Sequence, residues 1–273
     1  MRDITYPPVV WTAKTAFKLL GLKFQMSGTE HIPTSGPALL AVNHVSYLDF
    51  IFGGLAAQPS KRLVRFMAKK EIFDHSIGGP VMRSLHHIEV DRGEGLGSYQ
   101  EGLRYLRLGE VVGIFPEATI SRSFEIKELK TGAVRLAAEA GVPLIPVIVW
   151  GTQRMMTKDH PKDFSRGKTI AISVGEPLRP LGANPVEETA ELRKAMSSLL
   201  DQTIKAYPAD EQPPRRLVAA GVVRRQRAGA RGGSTARRRG EAAPRRAQGA
   251  PAGGEAGPQA LTRPLGASRA GLR

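Results

Sequence analysis

Apolar positions along this chain follow two alternating rhythms. From Val9 to Lys23, Val10, Ala13, Phe17 and Leu20 recur at three- and four-residue spacing with Lys14 and Lys18 off their face. That spacing predicts an amphipathic helix behind Pro7 and Pro8, with Trp11 at its leading edge. From Leu22 the period drops to two, with Leu22, Phe24 and Met26 marking a strand. A turn at Pro33 to Gly36 then leads into the continuously apolar ALLAVN, Ala38 to Asn43. Two further cycles follow. LVRFMA and HHIEVDR read as strands around the helical KKEIFDHSIGGPVMRSL, and the helix SYQEGLRYLRLG leads to the strand VVGIFP and a long loop rich in Ser, Arg and Lys. A helix from Thr131 to Ala140, strands at VPLIPVIVW and TIAISVGEP, and an amphipathic helix from Pro185 to about Ala206 complete the body. Strands alternating with helices predict an α/β layered domain with polar loops at the strand ends, where functional residues concentrate.

Composition changes this picture in two places. At 273 residues and 41% hydrophobic content the chain supports a substantial core, and a formal charge of +15 suggests a polyanion binder. The charge is unevenly placed. Residues 212–273 hold fourteen arginines against two glutamates, which leaves only +3 for residues 1–211. Beyond Tyr207 and Pro208, Arg, Ala, Gly and Pro dominate, so residues 209–273 are expected to form a disordered basic tail on a body spanning 22–208. The same break in composition would follow from out-of-frame reading of GC-rich DNA. The tail lacks interleaved aromatics and the body lacks a basic recognition helix, so no specific nucleic acid is expected as a partner. Cysteine is absent, which excludes disulfides, thiolate ligands and cysteine nucleophiles. No apolar run reaches the roughly eighteen residues of a spanning helix, and the first residues lack the layout of a signal peptide. The helix of residues 1–21 has two open readings, packing on the core or lying in a membrane interface.

The candidate chemistry begins at NHVSYLD, Asn43 to Asp49, where a histidine precedes an aspartate by five residues. Positions five apart on a helix are turned by about 140°, so the two cannot share a face. His44 is therefore expected before the helix, at a strand end, with Ser46 as N-cap of a helix beginning near it. Asp49 would then fix the imidazole tautomer and stabilise the imidazolium. With six histidines and twenty-five acids in the chain, such a pair alone says little. Its company says more. Arg92 ends the strand of IEVDR before a glycine-rich stretch, where a guanidinium suits a phosphate. Glu117 closes an apolar strand behind Pro116, and a carboxylate there needs a partner: the hydroxyls of an acceptor or a nearby arginine. Arg122, Lys127 and Lys130 make the following loop positive.

Taken in order, Asn43-His44-x4-Asp49, Ile88 to Arg92, Phe115-Pro116-Glu117 and Val142 to Val147 resemble the four blocks of the glycerolipid acyltransferases, in their 1-acylglycerol-3-phosphate acyltransferase branch, over roughly residues 20 to 180. The resemblance implies a glycerol-3-phosphate acyltransferase-like layered fold, a mixed sheet flanked by helices. It implies transfer of a fatty acyl group from acyl-CoA or acyl-ACP (acyl carrier protein) to the free hydroxyl of a lysophospholipid acceptor, 1-acylglycerol-3-phosphate, giving phosphatidic acid. His44 would be the base and Asp49 its orienting partner, with Asn43, Lys69, Arg92, Glu117, Ala118, Thr119 and Arg122 toward the substrates. No cofactor or metal is implied, and the setting would be peripheral, at the cytoplasmic face of a membrane. One block departs from the family's FPEGTRS: here FPEATIS puts Ala118 in place of glycine and Ile120 in place of a phosphate-binding arginine. Arg122 is the nearest replacement. The departure keeps other acceptors open, whether another lysophospholipid or a lipid amine, as well as water, which would make the chain a thioester hydrolase.

Overall fold

The computed structural model describes residues 4–76, 78–91, 93 and 95–212. Arg92 and the tail beyond Gln212 lie outside the described residues. Chain order is α1 (Tyr6–Leu19), β1 (Lys23–Ser27), β2 (Ala38–Val42), α2 (Asp49–Leu55), β3 (Val64–Lys69), α3 (Lys70–Phe73), α4 (Gly78–Ser84), β4 (Ile88–Val90), α5 (Gly95–Arg107), β5 (Val111–Ile114), α6 (Gly132–Ala140), β6 (Leu144–Trp150), β7 (Thr169–Val174) and α7 (Pro185–Ala206). The strands make one sheet in the order β1-β7-β6-β2-β5-β3-β4. β6 and β7 run antiparallel and the other neighbours parallel.

β2 reads as an unbroken apolar run because it is covered on both faces. Leu39 and Ala41 pack with Leu106 of α5, Val134 of α6 and Leu192 of α7. Ala38, Leu40 and Val42 pack on the opposite side with Phe17 of α1 and Phe52 of α2. This is a mixed sheet between two helical layers. From β2 the chain steps outward to β3 and β4, returns to β5, then crosses to β6 and β7 on the other side of β2. The loops after β2 and β5 open at that reversal of direction, where open α/β sheets bind their ligands. One glycine sets a contact beneath them. A Cβ on Gly113 of β5 would lie 2.5 Å from the Phe66 ring, so its absence lets Phe66 press on β5 and stack on Phe115 at 5.6 Å between centroids.

Among the boundaries that differ from the sequence reading, three have a clear physical reason or consequence. α1 starts at Tyr6, because Pro7 and Pro8 fit a first turn whose N–H groups need no intrahelical acceptor. Its inner face is anchored: Phe17 is buried and stacks on Phe52 at 5.0 Å, and the Tyr6 hydroxyl donates to the Val64 carbonyl at 3.1 Å. α2 starts at Asp49, and Ser46 is not its N-cap. The Ser46 hydroxyl instead donates to the Met156 carbonyl at 2.6 Å and accepts the Leu48 N–H at 3.1 Å. Finally, the body runs past residue 208, with Ala209–Glu211 forming a 3-10 turn.

Candidate active site

Asn43 and His44 follow the carboxyl end of β2, the central strand of the sheet. Asn43 is fully buried and tied to β6, its Oδ1 accepting the Val149 N–H at 2.7 Å and its Nδ2 donating to the Val149 carbonyl at 3.1 Å. The chain then folds back so that Asp49, first residue of α2, meets His44 from below. Asp49 Oδ2 accepts the N–H groups of Val45 and Ser46, each at 2.7 Å, and lies 3.1 Å from His44 Nδ1. Its Oδ1 accepts the Thr152 hydroxyl at 2.7 Å. Burying a carboxylate is costly unless donors meet its lone pairs, and every one of these partners is a donor. His44 stands outside α2, as the 140° turn of a five-residue separation requires.

A carboxylate against Nδ1 assigns the ring proton to that nitrogen and leaves the Nε2 lone pair to accept a proton. Nε2 has no hydrogen-bond partner among the described residues, and the side chain is 21% exposed, enough to be reached. The ring also lies flat on Phe115, with centroids 4.3 Å apart and planes inclined by 27°.

A second buried carboxylate holds the backbone of the same residue. Glu117 Oε1 accepts the His44 N–H at 2.8 Å and Oε2 accepts the Lys127 N–H at 3.1 Å. The expected partners, an arginine or acceptor hydroxyls, are thus replaced by two main-chain amides. Burial pushes the Glu117 pKa above its ordinary value, against the pull of those amides. The Ser121 N–H reaches the His44 carbonyl at 2.6 Å, so the loop after β5 takes both peptide groups of His44.

The remaining predicted residues separate. Ala118, at φ 58°, and Thr119 are exposed, and the Lys127 ammonium donates to the Thr119 hydroxyl. With Glu117, Lys127 and Lys130 they border a cleft of about 650 Å³. Arg193 of α7 also borders it, donating to the Lys127 carbonyl at 3.0 Å. Ile120 is buried. Arg122 turns to Asp159, Nε to Oδ2 2.9 Å, with both side chains more than a third exposed. Lys69 is exposed at the end of β3, beside Val90 of β4 in the register. Arg92, two residues past Val90, lies outside the described residues. Sequence reasoning missed Thr152 and Arg193. Neither has a spacing that marks it, since Thr152 reaches Asp49 from 103 residues away and Arg193 sits in a helix with many charged neighbours.

The sequence profile of the family described as Acyltransferase matches residues 23–150. The chain is 32% identical over 177 residues to the 1-acyl-sn-glycerol-3-phosphate acyltransferase of Bacillus subtilis (strain 168), covering 64% of this chain and 83% of that protein. It is 27% identical to the mouse 1-acyl-sn-glycerol-3-phosphate acyltransferase alpha, of which it spans 64%. The solved 1-acyl-sn-glycerophosphate (LPA) acyltransferase of Thermotoga maritima superposes with a TM-score of 0.61 over 74% of this chain and 80% of that one. At 23% identity that likeness speaks for the fold. The Bacillus relative, covered over most of its length, carries the assignment further: the chain belongs to the glycerolipid acyltransferases, of the lysophosphatidic acid acyltransferase type.

Proposed function

We propose that the chain transfers a fatty acyl group from acyl-CoA or acyl-ACP to the free hydroxyl of 1-acylglycerol-3-phosphate, giving phosphatidic acid. The observation that carries this reading is the His44 ring, held at Nδ1 by Asp49 and open at Nε2. Nε2 takes the proton of the acceptor hydroxyl as its oxygen attacks the thioester carbonyl. The tetrahedral centre then collapses, the carbon–sulfur bond breaks, and the thiolate leaves with a proton. Base assistance of this kind contributes about 10²- to 10⁴-fold. The amides of Asn43, His44, Val45 and Ser46 are all engaged. The turn after Pro116 supplies the donors for the developing oxyanion, since the amides of Glu117 and Thr119 have no acceptor among the described residues. Lys69, Arg92 and the basic residues around the Thr119 cleft take the anionic groups of the substrates.

The deciding experiment incubates the purified protein with lysophosphatidic acid and a labelled acyl donor, carried on CoA or on acyl carrier protein. Phosphatidic acid is the expected product, and His44→Ala should lose nearly all of it while remaining folded. Free fatty acid in its place would make the chain a thioester hydrolase. A panel of lysophospholipids and lipid amines tests the consequence of Ile120.

Peripheral docking at the cytoplasmic face of a membrane completes the reading. No helix among the described residues is long and apolar enough to cross a bilayer, and α1 turns Trp11 outward at 70% exposure beside Lys14 and Lys18. Each basic residue at an anionic surface adds about 1 kcal/mol. Deleting residues 1–21 would remove Phe17 from the core, so the test is Trp11→Glu with Lys14→Glu and Lys18→Glu. That variant should no longer sediment with anionic liposomes yet stay folded; unchanged sedimentation would refute docking through α1.

A further inference from the structure

Apart from the two peptide groups of His44, held by the loop after β5, the loop that carries His44 and Asp49 is braced by residues 149–157, running out of β6. Val149 pairs with the Asn43 amide, the Met156 carbonyl accepts the Tyr47 N–H and the Ser46 hydroxyl, and the Thr157 hydroxyl donates to the Val45 carbonyl at 2.6 Å. Within that segment, Thr152 is the residue that bonds to the Asp49 carboxylate. It is fully buried, and its hydroxyl lies 2.7 Å from Asp49 Oδ1.

We infer that Thr152 is a positioning residue for acyl transfer. Its hydroxyl fixes the rotation of the Asp49 carboxylate so that Oδ2 faces the His44 ring, and an Arg154–Tyr207–Glu211 clasp fixes the turn that carries it. The inference rests on His44 being the base. Oδ2 already meets two amides and the imidazole, whereas Oδ1 has Thr152 as its hydrogen-bond donor. Without that donor a buried carboxylate oxygen is left unsatisfied, and the carboxylate gains by turning toward other partners.

The turn itself, Thr152–Arg154, has little room to shift. It begins at Gly151, φ 100°, where a Cβ would lie 2.3 Å from the Thr169 carbonyl oxygen and 2.9 Å from the Tyr207 hydroxyl. Arg154 Nη1 donates to the Tyr207 hydroxyl at 2.9 Å and to Glu211 Oε2 at 2.8 Å. The Tyr207 hydroxyl donates to the Thr169 carbonyl at 2.6 Å, and Glu211 accepts the Thr169 N–H at 2.7 Å and its hydroxyl at 2.9 Å. One short turn thus bonds to the Asp49 carboxylate through Thr152 and to the C-terminal end of the body through Arg154.

The test compares Thr152→Val, Thr152→Ser, Glu211→Gln and His44→Ala at saturating donor and acceptor. Thr152→Val should lower kcat about 10- to 100-fold, the scale of a misplaced catalytic group, with both KM values within about threefold. Thr152→Ser keeps the hydroxyl and should restore kcat to within about threefold, and Glu211→Gln should cost about three- to tenfold in kcat. If Thr152→Val does not fold, Thr152→Ala is read in its place. A hydroxyl-free variant with kcat near the parent's, or Thr152→Ser losing as much as Thr152→Val, overturns the inference. An inactive His44→Ala beside a fully active Thr152→Val would overturn the positioning role and leave the base standing. An active His44→Ala would overturn both.

Discussion

Two buried carboxylates bracket His44, and they do different things with the same chemistry. Asp49 begins a helix after β2; Glu117 sits in a turn after β5. Both lie in the molecule's interior and both accept main-chain N–H groups of the loop at residues 44–46. Asp49 adds the imidazole and a hydroxyl. Glu117 adds only the amide of Lys127, and its pKa is raised by burial. Asp49 therefore acts on the ring, while Glu117 acts on the peptide that carries the ring. A buried acid beside the proposed base is not by itself a catalytic acid; what its oxygens face decides the role.

Asp49→Asn should produce the largest separation between the two. The amides of Val45 and Ser46 require an acceptor, so they select the amide oxygen for the Oδ2 position. The new NH₂ then falls beside Thr152, whose hydroxyl can turn to accept it. Geometry and tautomer survive and only the negative charge is lost, so activity should fall about 10²-fold or more while stability changes little. A drop in melting temperature as large as the drop in rate would mean that Asp49, like Glu117, serves mainly the backbone.

Glu117→Gln should act the other way round. One oxygen cannot serve both the His44 and the Lys127 amides, and a buried donor left without an acceptor costs about 1–3 kcal/mol. Activity should fall about tenfold through displacement of His44, with a measurable loss in urea midpoint. The pH dependence supplies a sign. A carboxylate whose folded pKa exceeds its unfolded value stabilises the fold most below the unfolded value, and this contribution is lost as pH rises through the folded one. The stability deficit of Glu117→Gln against the parent should therefore be larger at pH 4 than at pH 7. A deficit that grows with pH would show that the two amides outweigh burial in setting the Glu117 charge.

This contrast explains what the sequence could disclose. Periodicity located the seven strands of the described residues; in β2 to β7 burial on one or both faces writes itself into residue type at short range, whereas every residue of β1 is exposed and its period of two marks an edge strand. The His44–Asp49 contact was legible on other grounds, from its five-residue spacing within one local turn and from the order of the blocks that follow it. The role of Glu117 was only half legible: its burial could be read from the apolar run before it, whereas its partners are peptide groups, which every residue possesses. Ser46 shows the converse error. A serine before an apolar run suggests an N-cap, but the Asp49 carboxylate had already taken the first amides of the loop, leaving the Ser46 hydroxyl for Met156. Thr152 and Arg193 reach the site across long separations, and single-sequence periodicity carries no information about such pairs. Arg122, expected to stand in for the arginine missing at Ile120, is engaged by Asp159, a residue no motif connects to it.

The smallest effect concerns the turn that holds Glu117. Ala118 occupies the left-handed region at φ 58°, and its N–H closes the turn on the Phe115 carbonyl at 3.0 Å. No non-glycine residue between Asn43 and Asp49 has a positive φ, so backbone strain is confined to the Glu117 side of the site. An L-residue with a Cβ pays about 1–2 kcal/mol for that conformation, while glycine gives back about 0.4–1 kcal/mol through its freer unfolded chain. Ala118 is exposed, so removing its methyl forfeits little packing. Ala118→Gly should therefore raise stability by about 0.5–1 kcal/mol, seen as a higher urea midpoint, with acyl transfer near the parent rate. A loss of stability would mean that the turn is held by the two amide bonds of Glu117 firmly enough for the methyl to rigidify it. A changed acceptor KM at unchanged stability would instead place the methyl in contact with the acceptor.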